Sequence, residues 1–215
     1  MTLKLYGHPF AAFVWKPLIA AYERSVSFEF CMIDAEHPEH SARIAELSPT
    51  GQFPALTDGP REVTQSSAVI EYLDRVGPAA PMIPTDPDTA LAARMLAAVF
   101  DDYVAQPMQQ VVAEALRPRD RQDSNRVAEA KAKLEQAYAW LARRIGAGWA
   151  VPDAFGIADC AAAPALFYAD WVHPIPAGAL QAYRARLLAR PSVARVVDEA
   201  RPYRAFFPLG APDRD

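Results

Sequence analysis

Prolines crowd one short stretch of this chain and divide it into two parts. Four of them fall between residues 77 and 88, namely Pro78, Pro81, Pro84 and Pro87. A proline lacks the backbone N–H and fixes its own φ, so this density is incompatible with a regular helix or strand and is typical of a linker. We therefore expect one unit at residues 1–77 and a second at 88–215, joined by a linker at 78–87.

The first unit carries the strand patterns. Residues 3–6 alternate as a short strand does, 10–24 are apolar enough for a helix, and 27–33 are typical of a second strand. Because a helix connects these strands, the pattern predicts a parallel βαβ crossover. A polar stretch at 34–47 predicts a short, irregular helix.

A hairpin and a further helix complete the first unit. Turn residues at 48–51 precede a third strand at 53–56. The tight turn at 58–60 leads into a fourth strand at 62–64. Ser66 is expected to cap a helix that runs to the linker.

The second unit shows helical periodicity and no convincing strand. Residues 89–116 and 125–145 are long Ala-rich stretches with helical spacing. Pro107 lies inside the first of them, where its ring removes one backbone hydrogen bond and should kink the helix. The predicted fold class is an α/β unit followed by an all-helical unit.

Composition excludes several classes of protein. The 22 Lys and Arg residues against 26 Asp and Glu residues give a net charge of −4, which argues against a nucleic-acid partner. No apolar stretch approaches the roughly 20 residues that a membrane helix needs. The first residues lack the pattern of a signal peptide. We expect a cytoplasmic protein with no membrane partner.

The two cysteines support no cross-link and no metal site. Cys31 and Cys160 lie far apart and match no metal-ligand spacing. We expect both to be buried apolar side chains, and we expect no disulfide and no metal.

Three short motifs follow one another in an informative order. They read Ser48-Pro49-Thr50-Gly51-Gln52-Phe53-Pro54-Ala55-Leu56, then Gln65-Ser66-Ser67-Ala68-Val69-Ile70-Glu71-Tyr72-Leu73, then Phe155-Gly156-Ile157-Ala158-Asp159. In this order, and over essentially the whole chain, they resemble the cytosolic glutathione transferase superfamily. The resemblance implies a thioredoxin-like first unit and an all-helical second unit. It also implies a homodimer that binds glutathione and adds its thiolate to a small hydrophobic electrophile.

The first two motifs imply the glutathione site. In the family the loop carries a cis-proline, here Pro54, preceded by Gln52 and Phe53, and the backbone N–H and C=O of Phe53 would pair with the cysteinyl part of glutathione. Gln65 and Ser66 match the residues that hold the γ-glutamyl end. A helix start independently favours a carboxylate, because its free N–H groups carry partial positive charge and a serine hydroxyl adds a donor.

The third motif departs from the family at one position. Gly156 stands where a Ser or Thr usually caps the helix. Glycine supplies no side-chain acceptor, so only Asp159 is expected to complete the cap, by reaching back to the Gly156 N–H.

The group that activates the thiol is left open by the sequence. Transfer requires the thiolate, because a free cysteine thiol with a pKa of about 8.5 is mostly protonated at neutral pH. Relatives stabilise it with a Tyr at the end of the first strand, or with a Ser or Cys at the first helix. Here the latter positions hold Ala11 and Ala12, while Tyr6 stands where the tyrosine-type members place their phenol.

Three interpretations follow. In the first, Tyr6 donates a hydrogen bond to the sulfur; in the second, the backbone N–H groups of Ala11 and Ala12 do so together with the helix dipole. In the third, the protein binds glutathione but conjugates poorly or not at all. His8 is a weaker candidate for a base. Because the loop has no cysteine, we exclude thiol–disulfide exchange of the glutaredoxin kind.

The resemblance implies the remaining contacts. A basic residue from the irregular helix holds the glycyl carboxylate in relatives, and His37 is preferred here over His40 and Arg43. Asp101 or Asp102 would approach the amino group of the glutathione held by the partner subunit. A hydrophobic co-substrate would lie between the units against a mainly aromatic set of residues: Phe10, Phe13, Tyr103, Met108, and Phe167 or Trp171.

The predicted function is that of a glutathione transferase. The competing class is a non-catalytic ligand-binding or interaction module of the same fold, which Ala11 and Ala12 favour. Gln52-Phe53-Pro54 and Gln65-Ser66 oppose it, because a scaffold has no need of a helix start prepared for a carboxylate. A glutathione-dependent isomerase or dehalogenase is the third possibility.

Overall fold

The N-terminal unit is a βαβ crossover followed by a hairpin and a helix. The computed structural model describes residues 2–151 and 154–215. The N-terminal elements are β1 (Lys4–Gly7), α1 (Ala12–Glu23), β2 (Glu29–Met32), α2 (Pro38–Leu47), β3 (Ala55–Asp58), β4 (Arg61–Thr64) and α3 (Ser66–Val76). Every strand and helix predicted for this unit is present. The sequence predicted an irregular helix at α2, but α2 is a continuous α-helix. Pro38 lies in its first turn.

The sheet has the strand order β2-β1-β3-β4. β1 pairs in parallel with β2 and antiparallel with β3, so that Tyr6 lies between Cys31 and Ala55. Successive side chains of a strand point to opposite faces. Leu5 accordingly packs into the core shared with α1 and α3, and Tyr6 packs into a smaller core under α2. This arrangement confirms the thioredoxin-like fold of the first unit.

The C-terminal unit is built from helices around a buried central one. Its elements are α4 (Pro87–Phe100), a π-helical segment (Asp101–Ala105), α5 (Gln106–Leu116), a 3-10 turn (Arg119–Arg121), α6 (Ser124–Ala142), α7 (Ile157–Val172), α8 (Ala179–Leu188), α9 (Pro191–Ala200) and a C-terminal 3-10 helix (Arg201–Phe206). In the part of the chain that the structure describes, no strand follows β4. Nor does any helix of that part have the length and apolar character needed to cross a membrane.

The helix disruption predicted around Pro107 takes the form of a π-helical segment. The chain passes from α4 into α5 through the π-helical segment, which ends two residues before this proline. Proline cannot donate to the carbonyl of residue 103, and the wider π turn changes the helical register just ahead of it. The sequence therefore indicated the place of the disruption but not its form.

The proline-rich stretch is attached to both units. The Asp74 carboxylate of α3 accepts the N–H groups of Met82 at 2.8 Å and Ile83 at 3.0 Å. The Met82 carbonyl then accepts the N–H of Ile157, the first residue of α7, at 2.8 Å. The linker thus fixes α3 to the central helix of the second unit.

The same contact explains the glycine at the start of α7. A Cβ atom at Gly156 would lie 2.5 Å from the Met82 carbonyl oxygen, so a Ser or Thr would collide with the linker. Asp159 makes the cap alone, as predicted, by accepting the Gly156 N–H at 2.9 Å. Its carboxylate also accepts the Ala150 N–H at 2.9 Å and the Tyr183 hydroxyl at 2.5 Å.

Candidate functional site

The start of α3 presents unpaired donors. Ser66 is the first residue of this helix, and the residue before it, Gln65, occupies the cap position without a side-chain cap bond. The expectation that a serine caps α3 is therefore wrong by one residue. The first helical bond runs from the Val69 N–H to the Gln65 carbonyl at 2.9 Å, which leaves the N–H groups of residues 66–68 free to bind an anion.

Gln65 itself has an unusual backbone. Its φ of 71° lies in the left-handed region, which costs a residue other than glycine about 1–3 kcal/mol. Residues held in this way cluster at binding sites, where the surrounding fold maintains a geometry that function requires. The exposed Gln65 side chain is thus placed at the mouth of the donor cluster.

The loop before β3 has the predicted shape. The peptide bond between Phe53 and Pro54 is cis, as the sequence predicted. The Gln52 N–H donates to the Ser48 Oγ at 3.1 Å, which fixes the approach to the loop. Phe53 lies just outside β3, whose paired residues begin at Ala55.

The start of α1 offers backbone donors, but Ala11 is not among them. The Ala11 N–H is already used, since it donates to the His8 carbonyl at 3.0 Å. The Val14 N–H donates to the Ala11 carbonyl at 2.9 Å. Within the described residues, the N–H groups of Ala12 and Phe13 therefore remain as the free donors of this helix end.

Tyr6 lies on the other side of the sheet. It is buried under α2 with Cys31, Ile44, Leu47 and Ala55. Ala11 and Ala12 instead pack against the core shared by α1 and α3. The structure therefore does not bring the Tyr6 phenol to the start of α1, where the sulfur would be activated.

The His8 ring packs against the C-terminal segment. Its Nδ1 accepts the Phe10 N–H at 3.1 Å, and burial lowers the pKa of the imidazole. The ring lies edge-on to Tyr203 with 4.6 Å between centroids. This places Tyr203 and the exposed Phe206 beside the loop that precedes α1.

Three basic side chains of α2 and its cap differ in their engagement. His37 Nδ1 lies 2.7 Å from the Asp34 Oδ1, and this hydrogen bond raises the pKa of His37. His40 donates from Nδ1 to the Met32 carbonyl at 2.8 Å. Arg43 is committed to two carboxylates, Glu46 at 2.7 Å and Glu62 at 2.5 Å. Among the described residues, His37 is thus the one of the three whose pKa is raised by a hydrogen bond to a single neighbouring carboxylate and whose second ring nitrogen has no hydrogen-bond partner.

Comparison with known proteins identifies the family. The model "Glutathione S-transferase, N-terminal domain" matches residues 1–75, and "Glutathione S-transferase, C-terminal domain" matches residues 124–199. The chain belongs to the cytosolic glutathione transferase superfamily. The resemblance stated from the sequence motifs is confirmed.

Individual relatives cover nearly the whole of this superfamily member. Protein LigF of Sphingobium sp. (strain NBRC 103272 / SYK-6) is 26% identical over 94% of this chain and 95% of its own length. The structure of a glutathione S-transferase from Methylobacillus flagellatus KT with glutathione bound matches with a TM-score of 0.77 and 25% identity, over 91% of this chain and 98% of that chain. The structure of beta-etherase LigF from Sphingobium sp. strain SYK-6 has a TM-score of 0.75 at 23% identity, covers 93% of this chain and 100% of that chain, and shows the shared fold.

The residues predicted for the hydrophobic co-substrate fall into two groups. Phe10 is partly exposed and packs edge-on against Tyr168, with 5.4 Å between centroids, and it also contacts Trp171. Tyr103 is 62% exposed on the π-helical segment. Met108 is only 4% exposed and belongs to the core. Met108 was therefore wrongly predicted to face a co-substrate.

Two of the aromatic candidates lie deeper. Phe167 is a buried core residue of α7 packed on Trp15, and Trp171 is partly exposed next to Phe207. The C-terminal 3-10 helix supplies Tyr203 and Phe206, which the sequence analysis missed. The segment Arg-Pro-Tyr-Arg-Ala-Phe-Phe has no helical or strand periodicity that would have placed it here.

Asp101 is engaged within its own chain. Its Oδ2 lies 2.5 Å from the Lys16 Nζ, so Asp101 is not free to reach the glutathione of a partner subunit. Asp102, the other candidate, is exposed on the π-helical segment. Lys16 is the functional candidate that sequence reasoning passed over, although a single lysine between Trp15 and Pro17 in an apolar helix was a visible signal.

Proposed function

We propose that this protein binds glutathione and transfers its thiolate to a small electrophile. The observation that carries the proposal is the start of α3, where three free N–H groups and the Ser66 hydroxyl lie beside the left-handed Gln65. A glutathione S-transferase with 25% identity holds glutathione in its structure, which supports the same ligand here.

Glutathione would be held at three places. The γ-glutamyl carboxylate binds the α3 start, with Gln65 contacting the same end of the ligand. The cysteinyl backbone pairs with Phe53, beside Gln52 and Pro54. The glycyl carboxylate pairs with His37. All three assignments follow the resemblance to the family, and the hydrogen bond to Asp34 that raises the pKa of His37 supports the third.

Sulfur activation falls to the start of α1 in this proposal. The N–H groups of Ala12 and Phe13 and the positive end of the helix dipole stabilise the thiolate, because no side-chain hydroxyl stands at Ala11 or Ala12. The thiolate then attacks an electrophilic carbon, the new C–S bond forms, and the bond to the leaving group breaks as that group departs with its electron pair. Phe10, Phe13 and Tyr103 supply apolar surface for the electrophile.

The relatives widen the class of electrophile. LigF, whose structure is described as that of a beta-etherase, resembles this chain over nearly its full length. Displacement of an aryl-oxide from an ether carbon is the same substitution with another leaving group. A non-catalytic binding module remains the second candidate, because Ala11 and Ala12 leave the thiol without a side-chain donor. We further propose a cytoplasmic homodimer with its two units at 1–77 and 88–215.

Replacing Ser66 by Ala should weaken glutathione binding about tenfold or more, since a hydrogen bond to a charged group contributes roughly 1.5–3 kcal/mol. Calorimetric titration of wild type and variant measures this. Ser124→Ala is the matched control, because Ser124 is the first residue of α6 as Ser66 is of α3. Equal affinities for wild type and Ser66→Ala, with both proteins folded, would contradict the placement.

The glycyl contact predicts a pH dependence of binding. Because hydrogen bonding to Asp34 raises the pKa of His37 above its usual value, the imidazolium persists to higher pH than in a free histidine. Affinity for S-methylglutathione, which has no titrating thiol, should be full at low pH and fall as pH rises through that raised pKa. Asp34→Asn should move this fall to lower pH.

His37→Gln is the control for this titration. It removes the charge at every pH, so its affinity should lose the His37 step altogether. Matching pH profiles for wild type and His37→Gln would remove His37 from the site.

A further inference from the structure

Lys16 is a charged side chain in the mainly apolar helix α1. It lies in the second turn of α1 and is 1% exposed. Its ammonium donates to the Asp101 Oδ2 at 2.5 Å and to the Ser67 Oγ at 3.2 Å. The same group sits 5.4 Å from the centroid of the Phe13 ring. One nitrogen therefore joins α1, α3 and the π-helical segment.

Stability alone is a poor reason for such a contact. Taking two charges out of water costs about as much as their attraction returns, and a buried ion pair is often no more stable than apolar residues of the same volume. The ion pair is also not isolated, because Lys16 reaches Ser67 as well as Asp101. The position of Lys16 under the first turn of α3 indicates a role at that helix start.

The geometry fixes the role of the Ser67 hydroxyl. A lysine ammonium has donors only, so Ser67 Oγ must accept from it. The Ser67 proton therefore points away from Lys16, and among the described residues it has no acceptor. Ser67 is partly exposed and lies next to Ser66 at the free N–H groups of α3.

We propose that Lys16 is a positioning residue for the γ-glutamyl carboxylate of glutathione, acting through Ser67. The lysine orients the Ser67 hydroxyl as a second donor to the carboxylate, and its charge adds to the positive potential of the helix start. Asp101 pairs with the ammonium from the helical unit and partly offsets its charge. This inference rests on the proposed glutathione site.

The first test uses Lys16→Met, Ser67→Ala and the double variant, with glutathione affinity measured by calorimetry. Each single change should weaken binding about tenfold, the loss expected for a hydrogen bond to a charged group. Because Lys16 orients the Ser67 hydroxyl, the double variant should bind little worse than Lys16→Met. Additive losses, or no loss in Lys16→Met, would overturn the proposal.

A truncated ligand separates this role from a structural one. An analogue of glutathione that lacks the α-carboxylate of its γ-glutamyl residue should bind wild type and Lys16→Met equally. A general loss of fold would weaken both ligands alike. If wild type binds no glutathione at all, the proposed function fails, whereas binding that Lys16→Met leaves unchanged defeats only the inference about Lys16.

Asp101→Asn tests the same ion pair, but here glutathione affinity is expected not to fall. It breaks the same ion pair as Lys16→Met but keeps the positive charge, so glutathione should bind at least as tightly as in wild type. If both variants weakened binding to the same extent, the ion pair as such, and not the charge at α3, would be responsible. Ser67→Ala lies at a partly exposed position and keeps the proposal testable should Lys16→Met fail to fold.

Discussion

Ala11→Ser should raise the rate of glutathione transfer about 10²-fold, which is the effect of one preorganised donor to a developing anion. Ala11 is the cap residue of α1, with φ −90° and ψ 120° and no side-chain cap bond. A serine there would accept an N–H of the first turn and direct its own proton outward. The thiolate would gain a hydroxyl donor beside the N–H of Ala12.

The absorbance of the bound thiolate, followed against pH, tests the mechanism directly. Wild type should lower the pKa of the glutathione thiol, and Ala11→Ser should lower it further. Ala11→Gly, which adds no hydroxyl, is the control. Tyr6→Phe should leave turnover and thiol pKa nearly unchanged, because Tyr6 lies under α2.

Two outcomes would contradict this account. A loss of about 10² in turnover for Tyr6→Phe would return the role of donor to the phenol. An unshifted thiol pKa in wild type would exclude both activators and favour the binding module.

Asp159→Ala should lower the free energy of unfolding by about 4 kcal/mol, because each buried donor left without a partner costs roughly 1–3 kcal/mol. The Asp159 carboxylate is 1% exposed and accepts three hydrogen bonds. Its loss leaves the Gly156 N–H, the Ala150 N–H and the Tyr183 hydroxyl unpaired at the start of α7.

Urea unfolding of the variants measures this effect. Asp120→Ala, at an exposed position in a 3-10 turn, is the control and should stay within about 0.5 kcal/mol of wild type. Tyr183→Phe removes one of the three donors and should cost less than Asp159→Ala. A change below about 1 kcal/mol for Asp159→Ala would show that Asp159 does not organise the start of this helix.

The sequence predicts those parts of the molecule that local chemistry determines. Alternation and turn residues located all four strands, and the motif around Pro54 located the cis bond. The serines after Gln65 located the start of α3 to within one residue. Each of these features depends on residues close together in the chain, so a short pattern is enough.

The parts that it does not predict depend on distant contacts. The pairing of β1 with both β2 and β3 determines which face of the sheet each β1 side chain occupies. Only that pairing shows that Tyr6 points away from α1. The contact between Lys16 and Asp101 joins residues 85 positions apart through a π-helical register that no local pattern announces. The burial of Met108 likewise depends on packing between elements rather than on a local pattern.

The contact between Met82 and Gly156 limits how such proteins recombine. A Ser or Thr at the α7 cap of this chain would need a linker whose carbonyl lies elsewhere, so linker and cap must be exchanged together. A crossover after Met82 would separate this pair, whereas one before Met82 keeps it intact. Junctions for shuffled libraries, and for natural exchange of halves, therefore belong on the N-terminal side of Met82, within the first part of the proline-rich stretch.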